Sequence, residues 1–322
     1  MCSSDLELIN WYKNSNVKGI NLVTVPYRGI EPIAGLLDEL RSGDRILYVT
    51  GEAAGQSLIC RYLAEKAEAG SPSGNATPSL RTVTFDEAIA VGDDFTLIIY
   101  DDINSFPSHN KNEMHTLLTH LYKKTGKIIA YSMERVFKNV INLEYPVKAD
   151  GSFIPEPRFI ESRIDIKDSI PSSLYSYIKF FLKGNRKVVI VTPEEATKQG
   201  MITYIKRVNP MNGRFLHEGD GLTGEELKNI CLDGAEPAII FLSRPDDLMD
   251  IPINLEYIIT NANSNRYNYR QFVYLTLRSC LYAPPGGEVL LIGAETSDNI
   301  EMAREITREY NRARWESDDI FV

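Results

Sequence analysis

LIIYDDINSFPSHNKNE, residues 97–113, decides how the rest of the chain is read. Four apolar residues, Leu97 to Tyr100, lead into two adjacent carboxylates, Asp101 and Asp102, and a polar loop follows. A continuous apolar run of this length marks a strand buried on both faces, as in a parallel sheet. Two acids at its tip allow two readings. They cap a turn, because aspartate favours such positions, or they hold a divalent cation and the water beside it.

Working outward, strands alternate with helices. RILYVTG (45–51), LRTVTF (80–85) and KIIAYS (127–132) read as further strands. SLICRYLAEKAEAG (57–70) and EMHTLLTHLYKKTG (113–126) are helical patterns that stop at glycine. This alternation predicts a parallel α/β sheet covered by helices, with ligands outside the carboxyl ends of the strands. Those ends are Gly51, Asp101 and Ser132.

DGSFIPEPRFIES (150–162) carries two prolines and a glycine and reads as a linker. Beyond it the style repeats. The helical stretches are SLYSYIKFFLKGN (173–185), PEEATKQGMITYIKRV (193–208), TGEELKNICLDG (223–234) and REITREYNRARW (304–315). The strands are RKVVIVTP (186–193), GRFLHE (213–218), AEPAIIFLSR (235–244), LEYIITNA (255–262) and GEVLLIGA (287–294). The expectation is two tandem α/β domains, 1–153 and 163–322, joined by 154–162, with a cleft between them.

Composition narrows the function classes. Of 322 residues, 43% are apolar and 25% charged, which suits a globular protein. No apolar run reaches the roughly 18–20 residues a membrane span needs. The N-terminus lacks the basic and apolar regions of a signal peptide, so a cytoplasmic protein is expected. Cys2, Cys60, Cys231 and Cys280 are too scattered for a zinc site or a disulfide framework. His109, His115, His120 and His217 lack metal-ligand spacing. The net charge of −9 argues against a surface that grips nucleic acid all over. It leaves room for a local basic groove, from 123–127, 183–187, 206–214 or 304–314, each more often a solvated helix end or face than a DNA contact.

VTGEAAGQSLI (49–59) is a strand, a turn of small residues and a helix start, the form of a phosphate-cradling loop. Gly51, Gly55, Gln56 and Ser57 are its candidate nucleotide contacts, and Ser57 with Asp101 the candidate Mg²⁺ ligands. The Walker pattern ends Gly-Lys-Ser/Thr, and here it ends Gly55-Gln56-Ser57, without the lysine that reaches the β- and γ-phosphates.

Taken together, these stretches resemble the ComFA-like helicases, superfamily 2 proteins of bacterial competence related to the primosomal helicase. DDINSFP (101–107) resembles their Asp-Glu-Val-Asp-Ala-Phe-Pro motif II. AYSM (130–133) falls where motif III belongs, and IPEPRFI (154–160) resembles the Leu-Pro-x-Pro link between domains. KVVIVTP (187–193) resembles motif IV, 238–259 the motif V region, and 270–292, with its PPGGEVLLI tail, motif VI. The resemblance covers roughly residues 45–310. It implies two tandem RecA-like domains, a P-loop NTPase core, that use ATP and Mg²⁺ on single-stranded DNA. Asp101, Asp102 and Arg278 would be the catalytic groups, and Gln271 a nucleotide contact.

The departures cluster at those groups. Gln56 stands for the lysine and Asp102 for the motif II glutamate; Leu275 stands for the first finger arginine, and Asp246-Asp247-Leu248 replaces the Arg-Gly pair of motif V. Loss of a finger arginine alone costs about 10³–10⁵ in related phosphoryl transfers. The leading expectation is a degenerate helicase with weak or no ATP hydrolysis, a binding or scaffold partner in a DNA-uptake or DNA-processing assembly. The alternatives are a divergent DNA-dependent ATPase and a protein holding nucleotide as a static ligand.

Overall fold

The computed structural model describes residues 3–24, 29–51, 58–68, 78–144, 153–245, 248, 251–282 and 286–318. The chain divides into two compact units, Met1–Ala149 and Asp150–Val322.

In the first unit the order is α1 (Ser3–Asn14), β1 (Gly19–Val23), α2 (Glu31–Leu37), β2 (Arg45–Thr50), α3 (Leu58–Glu68), β3 (Ser79–Thr84), α4 (Phe85–Ala88), β4 (Phe95–Asp101), α5 (Lys111–Tyr122), β5 (Thr125–Ser132) and β6 (Ile141–Glu144). Its six strands lie in the order β3-β2-β4-β5-β1-β6, all parallel. Side chains alternate between faces along a strand. Leu47, Val49, Ile98 and Tyr100 therefore point to one side, where they pack with Phe85, Ala88, Met114, Leu117, Leu118 and Leu121 of α4 and α5. Burying each such large apolar side chain contributes about 1.5–3 kcal/mol. Tyr48, Ile99 and Asp101 point to the other side, which positions the site described below.

The second unit runs β7 (Arg158–Glu161), α6 (Ser172–Lys183), β8 (Lys187–Val191), α7 (Glu195–Val208), β9 (Leu216–Glu218), α8 (Gly224–Leu232), β10 (Ala238–Leu242), β11 (Glu256–Ile259), α9 (Tyr269–Ser279), β12 (Val289–Gly293) and α10 (Asp298–Asp318). Its sheet order is β7-β12-β11-β8-β10-β9, again all parallel. Ile178, Phe181, Val188, Ile190, Met201, Ile205, Phe241 and Ile258 form the core on one face.

Helix starts follow the side-chain chemistry. Thr84 with Glu87, Asn110 with Glu113, Thr223 with Glu226 and Asn268 with Gln271 each form a reciprocal capping box, satisfying otherwise orphaned backbone N–H groups.

The stretch 154–162, expected as a linker, is built into the second unit. Residues 158–161 are β7, paired with β12 from Leu290 to Gly293. The Asn311 side chain accepts from the Ile154 N–H and donates to the Ile154 carbonyl, at 2.8 and 2.9 Å. Pro155 and Pro157 fit because they precede an edge strand rather than lie inside a central one.

Gly200 sits within α7, where glycine ordinarily costs up to about 1 kcal/mol relative to alanine. Here the sign reverses. A Cβ at this position would lie 2.0 Å from the Lys167 carbonyl oxygen. Gly200→Ala is expected to destabilise the second unit by about 1–3 kcal/mol, the range for overpacking. The denaturant midpoint checks it, and an unchanged or higher midpoint would refute the close approach.

Candidate functional site

The carboxyl end of β4 is a closed acidic corner. Asp101 and Asp102 are both fully buried. Asp101 Oδ1 accepts from the backbone N–H groups of Ile103 and Asn104, at 2.9 and 3.1 Å. Its Oδ2 accepts from the Asn104 side-chain amide at 2.7 Å and from the Tyr48 hydroxyl. A carboxylate offers about four lone-pair positions, and four donors fill them. Burial pushes the Asp101 pKa above the ordinary carboxylate value, against the pull of the hydrogen bonds from Tyr48 and Asn104. The Asp102 N–H donates to the Tyr131 carbonyl at 3.2 Å, continuing the ladder to β5 by one residue.

Two further segments close on this corner. The Gly51 N–H donates to Ser105 Oγ at 3.0 Å, so the start of the small-residue turn after β2 is tied to the loop after Asp101. A Cβ at Gly51 would stand 2.8 Å from that oxygen, so a side chain there would have to move the Ser105 hydroxyl. Gly29, beyond β1, is held at two points by Asn104. Its N–H donates to Asn104 Oδ1 at 3.0 Å, and its carbonyl accepts from Asn104 Nδ2 at 2.8 Å. The Tyr131 hydroxyl also donates to the Gly29 carbonyl, at 3.1 Å.

Of the residues singled out in the sequence, Gly51, Asp101 and Asp102 therefore meet at one strand-end corner. Gly55, Gln56 and Ser57 lie outside the described residues. Arg278 and Gln271 lie on α9 of the second unit. Gln271 Oε1 accepts from the Asn268 N–H at 3.2 Å and completes the cap of that helix. Arg278 is fully buried. Its guanidinium donates to the carbonyls of Ile253, at 2.7 Å, and Ile251, and it lies over the Tyr282 ring. Both terminal nitrogens thus hold the 251–253 segment.

Tyr48, Asn104, Ser105 and Gly29 were not singled out in the sequence. Two signals were present. Tyr48 shares strand phase with Thr50, which registers against Asp101. Asn104 and Ser105 lie inside the quoted stretch itself.

A divalent cation at the acidic corner would compete with these internal donors. Both oxygens of Asp101 are saturated by internal donors, so a cation would have to displace one of them. Among the described residues no group of three His, Cys, Asp or Glu side chains could hold a metal. The basic stretches are partly committed internally as well. Lys127 donates to the carbonyls of Trp11, Ser15 and Val17, Lys187 donates to that of Glu236, and Arg304 and Arg308 pair with Glu156.

No protein-family model matches the sequence, and no curated protein matches it. Solved structures do match. Two structures of the Escherichia coli helicase HrpB, described as a DEAH/RHA helicase and a DExH-box NTPase, are 11% identical, with TM-scores of 0.52 and 0.50 over 94% of this chain. The two parallel six-stranded α/β units match the fold of tandem RecA-like helicase domains. Yeast (S. cerevisiae) Dbp5, bound to RNA and ADP BeF3, is 11% identical with a TM-score of 0.48, covering 96% of this chain and 87% of Dbp5. RecG, bound to a three-way DNA junction, is 11% identical with a TM-score of 0.48 over 95% of this chain. This helicase-like chain spans 45% of the RecG chain and 43% and 42% of the two HrpB chains. No helix among its described residues is long and apolar enough to cross a membrane.

Proposed function

We propose that this helicase-like chain is a pseudo-helicase, a binding or scaffold component of a DNA-uptake or DNA-processing assembly with little or no nucleotide turnover. The observation that carries the reading is the saturated Asp101. In a working phosphoryl-transfer site the acid at this strand tip holds Mg²⁺, which bridges the phosphates and neutralises developing charge. Here that acid organises its own loop. Arg278 supports the same reading, because its guanidinium holds backbone carbonyls in place. Gln56 and Leu275 stand where the sequence pattern asks for a lysine and an arginine.

Calorimetry with ATP and Mg²⁺, followed by phosphate release with and without single-stranded DNA, tests the proposal. The expected result is no DNA-stimulated release above the protein-free rate. Release that rises with DNA and disappears in Asp101→Asn would establish a divergent DNA-dependent ATPase instead. A change of salt tests the nucleic-acid arm. Binding that falls steeply with ionic strength marks phosphate contacts.

A further inference from the structure

The outermost strand of an open sheet presents a row of peptide groups that a further strand can pair with. In the second unit β7 is such a strand, joined to β12 alone. The Ser162 N–H donates to the Gly293 carbonyl at 2.8 Å, which fixes the phase of that pair. Successive residues of a strand turn their peptide groups to opposite edges. Arg158, Ile160 and Ser162 therefore serve β12. Phe159 and Glu161 turn their N–H and C=O groups outward, where no partner meets them among the described residues. The chain just before β7 is closed off. Asn311 takes both the N–H and the carbonyl of Ile154, as a neighbouring strand would. Pro155 and Pro157 have no N–H to offer. The free donors of this edge thus begin at Phe159.

A groove of about 590 Å³ follows the edge, lined by residues 154–160, by Tyr177 of α6 and by Arg304 and Asn311 of α10. Next to Ile154 two large aromatic rings stand in the open. Phe153 is 54% exposed and Trp315 62%, and their rings stack with centres 6.4 Å apart. The charges along the groove are matched. Arg158 pairs with Glu288 at 3.5 Å, and Glu156 pairs with Arg304 and Arg308 at 4.0 and 2.9 Å. A stacked aromatic pair also suits a nucleic-acid base, but phosphates require a positive track. Here α10 carries six acids against four arginines. What the edge leaves unmet is backbone hydrogen bonding and apolar surface, and an extended peptide supplies both.

We propose that the β7 edge is a docking site for an extended peptide of a protein partner. The peptide adds to the six-stranded sheet as a seventh strand, pairing with Phe159 and Glu161, and rests an apolar side chain against Phe153 and Trp315. The inference rests on the reading of this chain as a binding component and names the class of partner. Main-chain pairing gives the affinity, and the aromatic pair gives the preference for an apolar residue at one end.

The probe is the tightest binder from a display library of short random peptides selected on the full chain. Binding is followed by the emission of Trp315, since the other tryptophan, Trp11, is 1% exposed and lies in the first unit. Hydrogen exchange at the Phe159 and Glu161 amides is measured alongside, with Val189 and Ile190 of β8 as the control for global unfolding. Two variants separate backbone from side chain. Glu161→Pro removes one outward N–H and leaves the pairing with β12, a position where an edge strand accepts proline. Glu161→Ala removes the side chain alone. The probe should slow exchange of both outward amides at least about ten-fold. Glu161→Pro should weaken binding about ten-fold, the effect of one lost hydrogen bond with an acceptor stranded opposite it, and Glu161→Ala should leave it within about two-fold. N-methylation of one alternate set of probe nitrogens should abolish binding and of the other set should spare it, and this pair carries the test if Glu161→Pro fails to fold. A library that yields no binder would overturn the proposal, as would a probe indifferent to Glu161→Pro and to both methylations. Displacement of the probe by oligothymidylate would assign the edge to nucleic acid instead, and a dimer of this chain lost in Glu161→Pro would assign it to a second copy. DNA-stimulated ATP turnover by the unaltered chain, by contrast, would overturn the pseudo-helicase reading and leave the measured peptide binding as it stands.

Discussion

Asp101→Ala is expected to lower the stability of the first unit by about 3–5 kcal/mol, the range for removing one partner from a buried charged network. The substitution strands four donors at once, those of Tyr48, Ile103 and both nitrogens of Asn104. Each unsatisfied buried donor costs about 1–3 kcal/mol. The total is reduced because the buried carboxylate that is lost was itself costly. Asp101→Asn should cost less, about 1–3 kcal/mol, since its oxygen still accepts from the two backbone N–H groups while its amide meets the Asn104 amide donor to donor. Denaturant unfolding of the two variants checks both the size and the order. A residue kept only to hold a cation would leave the midpoint of the metal-free protein unchanged on either substitution, and that result would sink the structural reading.

The same residue sets a pH signature. Burial raises the pKa of folded Asp101 above its unfolded value. A group shifted in that direction contributes stability that is fully present below the unfolded pKa and is lost as pH rises through the folded one. Mild acidification from neutral pH, through the window just above the ordinary carboxylate range, should therefore stabilise the first unit relative to Asp101→Asn. The stability difference between the two proteins, followed across pH, should be larger below the ordinary carboxylate range than at neutral pH. Glu256, buried beside Arg186 in the second unit, is raised for the same first reason and adds a contribution of the same sign there.

The second large effect is expected at Arg278. Arg278→Ala should destabilise the second unit by about 3–5 kcal/mol, because it removes the donor to the Ile253 carbonyl, leaves the Ile251 carbonyl only the Ile253 N–H, and opens a cavity beside Tyr282. Arg278→Lys should recover about half of this, since an ammonium cannot reproduce the two-pronged geometry of the guanidinium. Thermal unfolding monitored on the whole chain measures it. An arginine that acts only on a transferring phosphate would give the opposite pattern, with stability intact and turnover lost in both variants.

The elements of the fold were readable because each carried a local signature. Residues 97–100, 188–191 and 289–292 are unbroken apolar runs, and strands buried on both faces can be written no other way. Their alternation with helical patterns implied two parallel sheets. The corner at Asp101-Asp102 was readable as a place, since an unbroken apolar run ends there in two acids that either cap a turn or hold a cation. The role of 154–162 was not readable. Two prolines signal a break locally, while the pairing that makes 158–161 a strand comes from β12, about 130 positions later. Arg278 was equally opaque, because a lone arginine in a helix looks the same whether it faces a phosphate or two buried carbonyls.

By itself, then, the sequence determined the plan of two parallel α/β units and the position of the acidic strand tip, because both depend on short-range pattern. What the tip does was decided only by tertiary structure. Tyr48 reaches Asp101 across 53 positions, and Gly29 reaches Asn104 across 75. Hydrogen bonds of that separation are set by which strands the sheet makes neighbours, and they fill the four lone-pair positions of a carboxylate that the sequence alone would have left open to a metal ion.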